Sequence, residues 1–321
     1  MARILLKNIK KNENKMVEEC YKEYIDYCTA IGQRPKTIES KERFGKYVLT
    51  KVVSLEDDIS KLTKDRIQAY IIFMRKNNYK GNTYKTFVIK LRAFLTFCFM
   101  RNYLEKFDIK IPSIDLEKKE VYTEEELNRL LKKPNLNKCL IGEFKTWSTC
   151  NFLLGTGCRA ETLLNVKVGD IDFVKESILF RHMKTKRQIT VPLSNTLKTV
   201  LREYIQILGL KSEELLFPKL NGEKMKYDTL HQNTKNFFDN RKVAFRGINV
   251  FRNTFATMFI KNGGDIYRLK AVLGHSNIKT TERYINLLPL DLKDDIQQFN
   301  PLDVLSKKNT RISINRDGGN K

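Results

Sequence analysis

The sequence predicts a mainly α-helical protein of two domains, with a small β-sheet in the second. Three observations predict this. Apolar residues recur at helical spacing through most of the 321 residues. One stretch, "EKFDIKIPSIDLEKKEVY", has no helical period, contains Pro112 and divides the chain. Only "SILFRHM" (177–183) and "QITVP" (188–192) look like paired strands, set around a basic turn. A chain of this length supports two cores.

The first domain is placed at 13–104. Val17, Cys20, Tyr21, Tyr24 and Cys28 share one face of a first helix. Thr37, which follows a proline, is expected to cap a second helix running to about Val48. Thr63 caps a third, with Ile67, Tyr70, Ile71 and Met74 as its buried stripe. A fourth extends from about Asn82 to Asn102. Tyr84, Phe87, Leu91, Phe94, Leu95 and Cys98 form its apolar stripe, and Lys85, Arg92 and Thr96 fall opposite. A linker is placed at 105–120. The second domain, 121–300, opens on a capping box between Thr123 and Glu126. Helical patterns run through Leu154, the strand pair follows, and helices resume to about Phe299. The tail, 301–321, turns polar and rich in Gly and Asn, and reads as mobile.

Sixty Lys and Arg against 37 Asp and Glu leave a net charge of +23. Such a surplus repels itself unless a polyanion offsets it, and it is drawn to phosphates. DNA, RNA and an anionic membrane are the candidates. The longest apolar run, "AFLTFCFM", falls far short of the roughly 20 residues a spanning helix needs. The opening "MARILLKNIKKNENK" has no signal-peptide core. Nucleic acid is therefore favoured over membrane, with a cytoplasmic setting. The six cysteines form no CxxC pair and read as reduced, mostly buried thiols. The excess of Lys over Arg, with abundant Asn and Ile, fits an AT-rich bacterial genome.

Four separated stretches need a joint explanation. In "GTGCRAETLLNVKVGDIDF", Gly157 can end a helix in the left-handed conformation and set Arg159 at the mouth of the next. "KTKRQITVPL" puts Lys184 and Lys186 on a hairpin turn. In "NVFRNTFATMFIKNGGDIYRLKAVLGH", Asn249 and Arg252 are three apart and share a helical face. "LGHSNIKTTERYINL" holds His275, one of three histidines, ahead of Tyr284. Alone, that last stretch reads as a glycine cap, a filling histidine and a core tyrosine.

Together these stretches resemble the tyrosine recombinase family, also called the phage integrase family. The matching residues are Arg159, Lys184, Arg252 in "FRNTFAT", His275 and Tyr284, in the family's order and spacing. The resemblance covers about residues 13–300. It implies a two-domain clamp on double-stranded DNA, a helical core-binding domain joined to a catalytic domain. Arg159 and Arg252 would grip the phosphate oxygens and stabilise charge in the transition state. Tyr284 would attack phosphorus and form a 3′-phosphotyrosine. Lys184, with Lys186 as alternate, would protonate the leaving 5′-oxygen. His275 would donate to the phosphate or assist proton movement. Lys36, Lys41, Lys85 and Arg92 are the expected DNA contacts. No cofactor and no metal is expected, and no GxxxxGK phosphate loop is present. His182 and His231 read as structural.

The match departs from the family at several positions. Asn249 stands where the family usually has histidine, and Asn253 where a second histidine usually follows the arginine. Thr162 takes the place of a common glutamate, with Glu161 one residue earlier. Asp170 matches an acidic position that would brace the first arginine. The resemblance implies a site-specific recombinase working as a homotetramer, in mobile-element integration or excision or in dimer resolution. The segment "LPLDLKDDIQQFNPLDVL", with Leu290, Leu292, Ile296 and Phe299, would dock as a helix into a neighbouring protomer. An accessory directionality protein is a candidate partner. The rivals are a catalytically silent DNA-binding protein on the same fold and a topoisomerase-like nicking and closing enzyme.

Overall fold

The structure, a computed structural model, describes residues 15–113, 119–181 and 188–285. The chain divides into two compact units, 1–117 and 118–321. The first holds four α-helices among its described residues: α1 (Val17–Ala30), α2 (Pro35–Tyr47), α3 (Lys64–Lys76) and α4 (Gly81–Met100). The whole expected stripe of α1 is buried. In α3 the cap is Thr63, whose Oγ1 accepts the Arg66 N–H at 3.4 Å. Its stripe is buried at Ile67 and Met74 and half-buried at Tyr70 and Ile71. α2 begins at Pro35 with Arg34 as its cap, so Thr37 lies within the first turn. Proline lacks the N–H that a first turn leaves unpaired, and its fixed φ already suits the helix. α4 buries Phe87, Leu91, Phe94, Leu95 and Cys98 as expected, and Val88 and Phe97 beside them.

The core of this unit is aromatic. Tyr21 meets Phe94 edge-on at 4.8 Å between centroids, and Tyr24 packs on Phe97 at 5.6 Å. Gly45 on α2 lies directly under the Tyr21 ring; a Cβ built there would sit 2.3 Å from Cε1 of Tyr21.

The second unit opens with α5 (Glu124–Leu131). Its capping box forms as expected, Thr123 and Glu126 each bonding the other's backbone N–H. α6 (Ile141–Thr156) runs through the core, burying Phe144, Trp147, Cys150, Phe152 and Leu153. It stops at Gly157 with φ 59°, the left-handed turn the sequence predicted. The one-turn helix α7 (Ala160–Leu163) follows. The sheet has three strands, β1 (Ile171–Asp172), β2 (Ser177–Phe180) and β3 (Ile189–Pro192), antiparallel in that order. Ile178 pairs with Ile171 on one side and with Val191 on the other. β1 was not expected from the sequence, because two residues are too few to show an alternation. Then come α8 (Asn195–Leu208), α9 (Tyr227–Asn240), α10 (Asn249–Lys261), α11 (Ile266–Leu273) and α12 (Lys279–Ile285). The mainly helical class with a small sheet is thus observed. Among the described residues no helix is long and apolar enough to cross a membrane. The expected C-terminal docking helix, the tail and the hairpin turn with His182, Lys184 and Lys186 lie outside the described residues.

Gly45→Ala should destabilise the first unit by roughly 1–3 kcal/mol, the usual cost of overpacking a tight core. Thermal unfolding followed by circular dichroism checks this, with Gly142→Ala as control, since a Cβ there meets nothing within 4 Å.

Candidate active site

Arg252 lies in the first turn of α10 and is 6% exposed. Its Nη1 donates to the Gly157 carbonyl at 2.9 Å. Its Nη2 donates to the Leu273 carbonyl at 2.9 Å and to His275 Nε2 at 2.7 Å. Those carbonyls close α6 and α11, and both helices end on a left-handed glycine, Gly157 and Gly274. Carbonyls at a helix C-terminus lack intrahelical partners and carry the negative end of the helix dipole. The buried cation is therefore met by two helix ends. Burial, and then the neighbouring Arg159, bring its pKa down to about 10, so it stays charged at neutral pH.

The contacts fix the tautomer of His275. A guanidinium only donates, so Nε2 accepts. Burial first, then Arg252, Arg159 and Lys119, lower the ring's pKa to about 3. The ring is neutral at physiological pH, and its one proton sits on Nδ1. That proton points at Thr281 Oγ1, 2.8 Å away and fully buried. In this arrangement any effect of His275 on a phosphate passes through Arg252. In the sequence Thr281 is an unmarked residue of "LGHSNIKTTERYINL". The six-residue interval between His275 and Thr281 makes sense only once Gly274 has turned the chain.

Tyr284, on α12, is 3% exposed and packs with Ala256, Leu269 and Leu273. Its hydroxyl donates to Asn253 Oδ1 in a long hydrogen bond of 3.5 Å. Burial pushes the phenol's pKa up, while Arg252, Arg159 and Arg283 pull it back. The His275 and Tyr284 rings lie parallel within 7°, their centroids 6.4 Å apart. Lys119, absent from the sequence-based set, puts its ammonium 3.7 Å from the Tyr284 ring centroid. No motif or spacing marks that lysine.

Arg159 is the residue before α7, and its Nη1 is buried without a hydrogen-bond partner. An orphaned buried donor is rare, and it is free to donate to an incoming oxygen acceptor. The structure therefore brings Arg159, Arg252, His275 and Tyr284 together. Asn249 is exposed at the first residue of α10, one turn before the buried Arg252. Thr162 is buried in α7. The Asp170 carboxylate accepts from Arg181 Nε at 2.5 Å and from the Lys167 N–H at 2.9 Å. Its bracing thus goes to the residue that leaves β2 rather than to Arg159. His231 packs edge-on against Phe245 at 4.9 Å.

The expected DNA contacts of the first unit differ in environment. Lys36 is exposed, and Arg92 is exposed and 3.8 Å from Asp108. Lys85 is half-buried. Lys41 turns inward, its ammonium on the Tyr24 hydroxyl and 3.2 Å from Cys28 Sγ. Among the described residues no group of three or more His, Cys, Asp or Glu could hold a metal ion.

A helical scaffold that gathers two arginines, a histidine and a tyrosine matches one known class. The phage integrase family profile matches residues 108–290. The chain belongs to that family, the tyrosine recombinases, which are site-specific DNA recombinases. It is 28% identical over 281 residues to tyrosine recombinase XerA of Saccharolobus solfataricus, covering 88% of this chain and 84% of the relative. It is 27% identical to XerA of Pyrococcus furiosus, covering 91% and 98%. Among solved structures it is similar to the Tn1549 transposon integrase in complex with transposon right end DNA. There the TM-score is 0.74 and the identity 18%, covering 91% of this chain and all of that one. A lambda integrase dimer bound to a COC′ core site matches with TM-score 0.68 and 13% identity, covering 83% and 97%. At these identities the structures show a shared fold.

Thr281→Val keeps the shape of the side chain but leaves the His275 Nδ1–H without its partner. It should cost about 1–3 kcal/mol of stability, the usual penalty for an unsatisfied buried donor, read by chemical denaturation. A histidine with a lowered folded pKa makes the protein less stable as pH falls from about 6.5 toward 3, because the unfolded chain binds the proton first. Replacing His275 with Asn should flatten the stability-versus-pH curve in that window.

Proposed function

We propose that the protein cuts and rejoins duplex DNA through a 3′-phosphotyrosyl intermediate on Tyr284. The carrying observation is that two guanidiniums, one with an orphaned donor, act on one buried tyrosine. Arg159 and Arg252 bind the non-bridging oxygens of the scissile phosphate and offset the charge that builds at phosphorus. The Tyr284 oxygen bonds to phosphorus, the bond to the 5′-oxygen breaks, and the phenol loses its proton. Lys184 returns a proton to the 5′-oxygen. One phosphoester replaces another, so religation by the reverse step needs no nucleotide. Asn249 is a phosphate donor that cannot take a proton at neutral pH, so the phenol's proton leaves by another route.

The working form we propose is a homotetramer on two duplexes, with the segment after Tyr284 exchanged between protomers. A lambda integrase tetramer bound to a Holliday junction shares the fold, with TM-score 0.69 and 14% identity. The biological role we propose is mobile-element integration or excision, or dimer resolution. A circular donor tested against linear and dimeric plasmid targets separates these by product topology.

Tyr284→Phe should abolish the covalent protein–DNA band on a nicked suicide duplex while leaving folding and binding nearly intact. A band that persists in the variant overturns the assignment; no band in the native protein across cognate sites supports the silent DNA-binding rival. In the same single-turnover assay Asn249→Ala should slow cleavage by less than ~10²-fold, the lower end for one lost oxyanion donor. Arg252→Ala should cost far more, since it removes a charge from the transition state. If both are equally dead, Asn249 does more than donate to a phosphate.

DNA affinity should fall by roughly 10³-fold or more between 50 and 200 mM salt if six or more phosphates are contacted. Replacing Lys85 and Arg92 together should flatten that slope. An unchanged slope would mean that this face of α4 is only solvated.

A further inference from the structure

We infer that Lys119 is a positioning residue for Tyr284, an ammonium clasped to the phenol ring by the segment that leads into the second unit. The inference rests on the proposed role of Tyr284 as nucleophile. Three contacts build the clasp. The Tyr122 N–H donates to Thr254 Oγ1 on α10 at 2.9 Å, in a buried bond. Asn253, the preceding residue on α10, donates from Nδ2 to the Glu120 carbonyl at 3.3 Å. The same Asn253 side chain accepts from the Tyr284 hydroxyl through Oδ1. The backbone at 120–122 is thereby laid along α10, and Lys119 is delivered over the Tyr284 ring at 3.7 Å.

The chemistry gives this contact a direction. A cation over an aromatic face is attracted by the ring's quadrupole, and more so when desolvated. Lys119 is half-buried and Tyr284 is buried. The attraction grows as the phenol becomes phenolate, because a formal negative charge then lies within a few ångströms of the ammonium. Lys119 therefore holds the ring and favours the ionised nucleophile without touching the phosphate. Asn253 explains itself in the same geometry. An amide can donate to the Glu120 carbonyl and accept from the phenol at once.

The ammonium stands in a crowd of cations. Arg252 faces it from α10 and Arg283 from α12, with neutral His275 nearby. Burial and those two arginines bring the Lys119 pKa down to about 8. Near that pH it becomes an amine and the clasp weakens.

The test compares native protein with Lys119→Met and Lys119→Arg, each checked for folding by circular dichroism. At saturating protein on the suicide duplex, Lys119→Met should cleave roughly twofold to thirtyfold more slowly, the range of a cation–π contact. Lys119→Arg keeps a cation that stacks on aromatic faces, and should stay near native. The native advantage over the Met variant should shrink above about pH 8, whereas that of the Arg variant should persist. A second readout needs neither DNA nor turnover. Tyrosine labelled with carbon-13, its Tyr284 signal assigned with Tyr284→Phe, should titrate at higher pH in Lys119→Met than in Lys119→Arg, whose cation persists where the native lysine is already an amine. The inference is overturned if Lys119→Met matches native protein in cleavage below about pH 8 and matches Lys119→Arg in phenol titration, or if it weakens only DNA binding, as a plain phosphate contact would. If the native protein forms no adduct, the nucleophile reading fails, while the phenol titration still reports whether the clasp exists.

Discussion

Everything in the candidate site depends on how a buried guanidinium is kept charged. Arg252 cannot lose its proton in any ordinary range, and burying a cation without compensation costs several kcal/mol. The compensation comes from the carbonyls of Gly157 and Leu273. Each lies at the end of a helix, where carbonyls need partners anyway. This requires α6 and α11 to stop in the right places, and each stops at a left-handed glycine. Gly157 has a second constraint, since a Cβ there would meet the Phe255 ring at 2.5 Å and Leu273 at 2.9 Å. Gly157 is therefore part of the arginine's binding site, and its missing side chain lets Phe255 and Leu273 close in beside it.

Compensation by carbonyl dipoles rather than by a carboxylate has a functional consequence. A carboxylate would neutralise Arg252 and compete with a phosphate for it. Helix ends stabilise the charge but leave a net positive field. Burial first, and that field second, hold His275 neutral and bring Lys119 toward neutrality. Arg159 adds a second guanidinium, with one donor unsatisfied. The local cation excess is the short-range counterpart of the +23 carried by the chain. The global charge draws in a polyanion over long range, and in the proposed reaction the local one is where the scissile phosphate would settle.

Much of this was legible in the sequence, for identifiable reasons. Gly157 followed by Arg159 announces a helix stop and a new helix mouth, because only one backbone conformation suits both. The α1 stripe and the Thr123–Glu126 box are local patterns, and local patterns survive into the fold. What escaped notice is non-local or too short. Thr281 matters only after Gly274 reverses the chain. Lys119 falls at the end of the expected linker and meets Tyr284 across 165 residues of sequence. The inward turn of Lys41 follows from Tyr24 and Cys28 on another helix, which helical spacing within α2 cannot show. β1 is two residues long and pairs only because β2 is already in place.

Two asparagines on α10 stand where the resemblance leads one to expect histidines. Asn249 is exposed at the helix start, where an amide can offer a donor to an anion but no base. Asn253, one turn further along the helix, bridges the Glu120 carbonyl to the Tyr284 hydroxyl. A histidine at 253 with one ring proton could also donate and accept, but it would add a charge when protonated. In a site already crowded with Arg159, Arg252 and Lys119, that charge would be repelled. An amide supplies the same two hydrogen bonds and never titrates. The two amides thus add no titrating charge beside Arg159, Arg252 and Lys119.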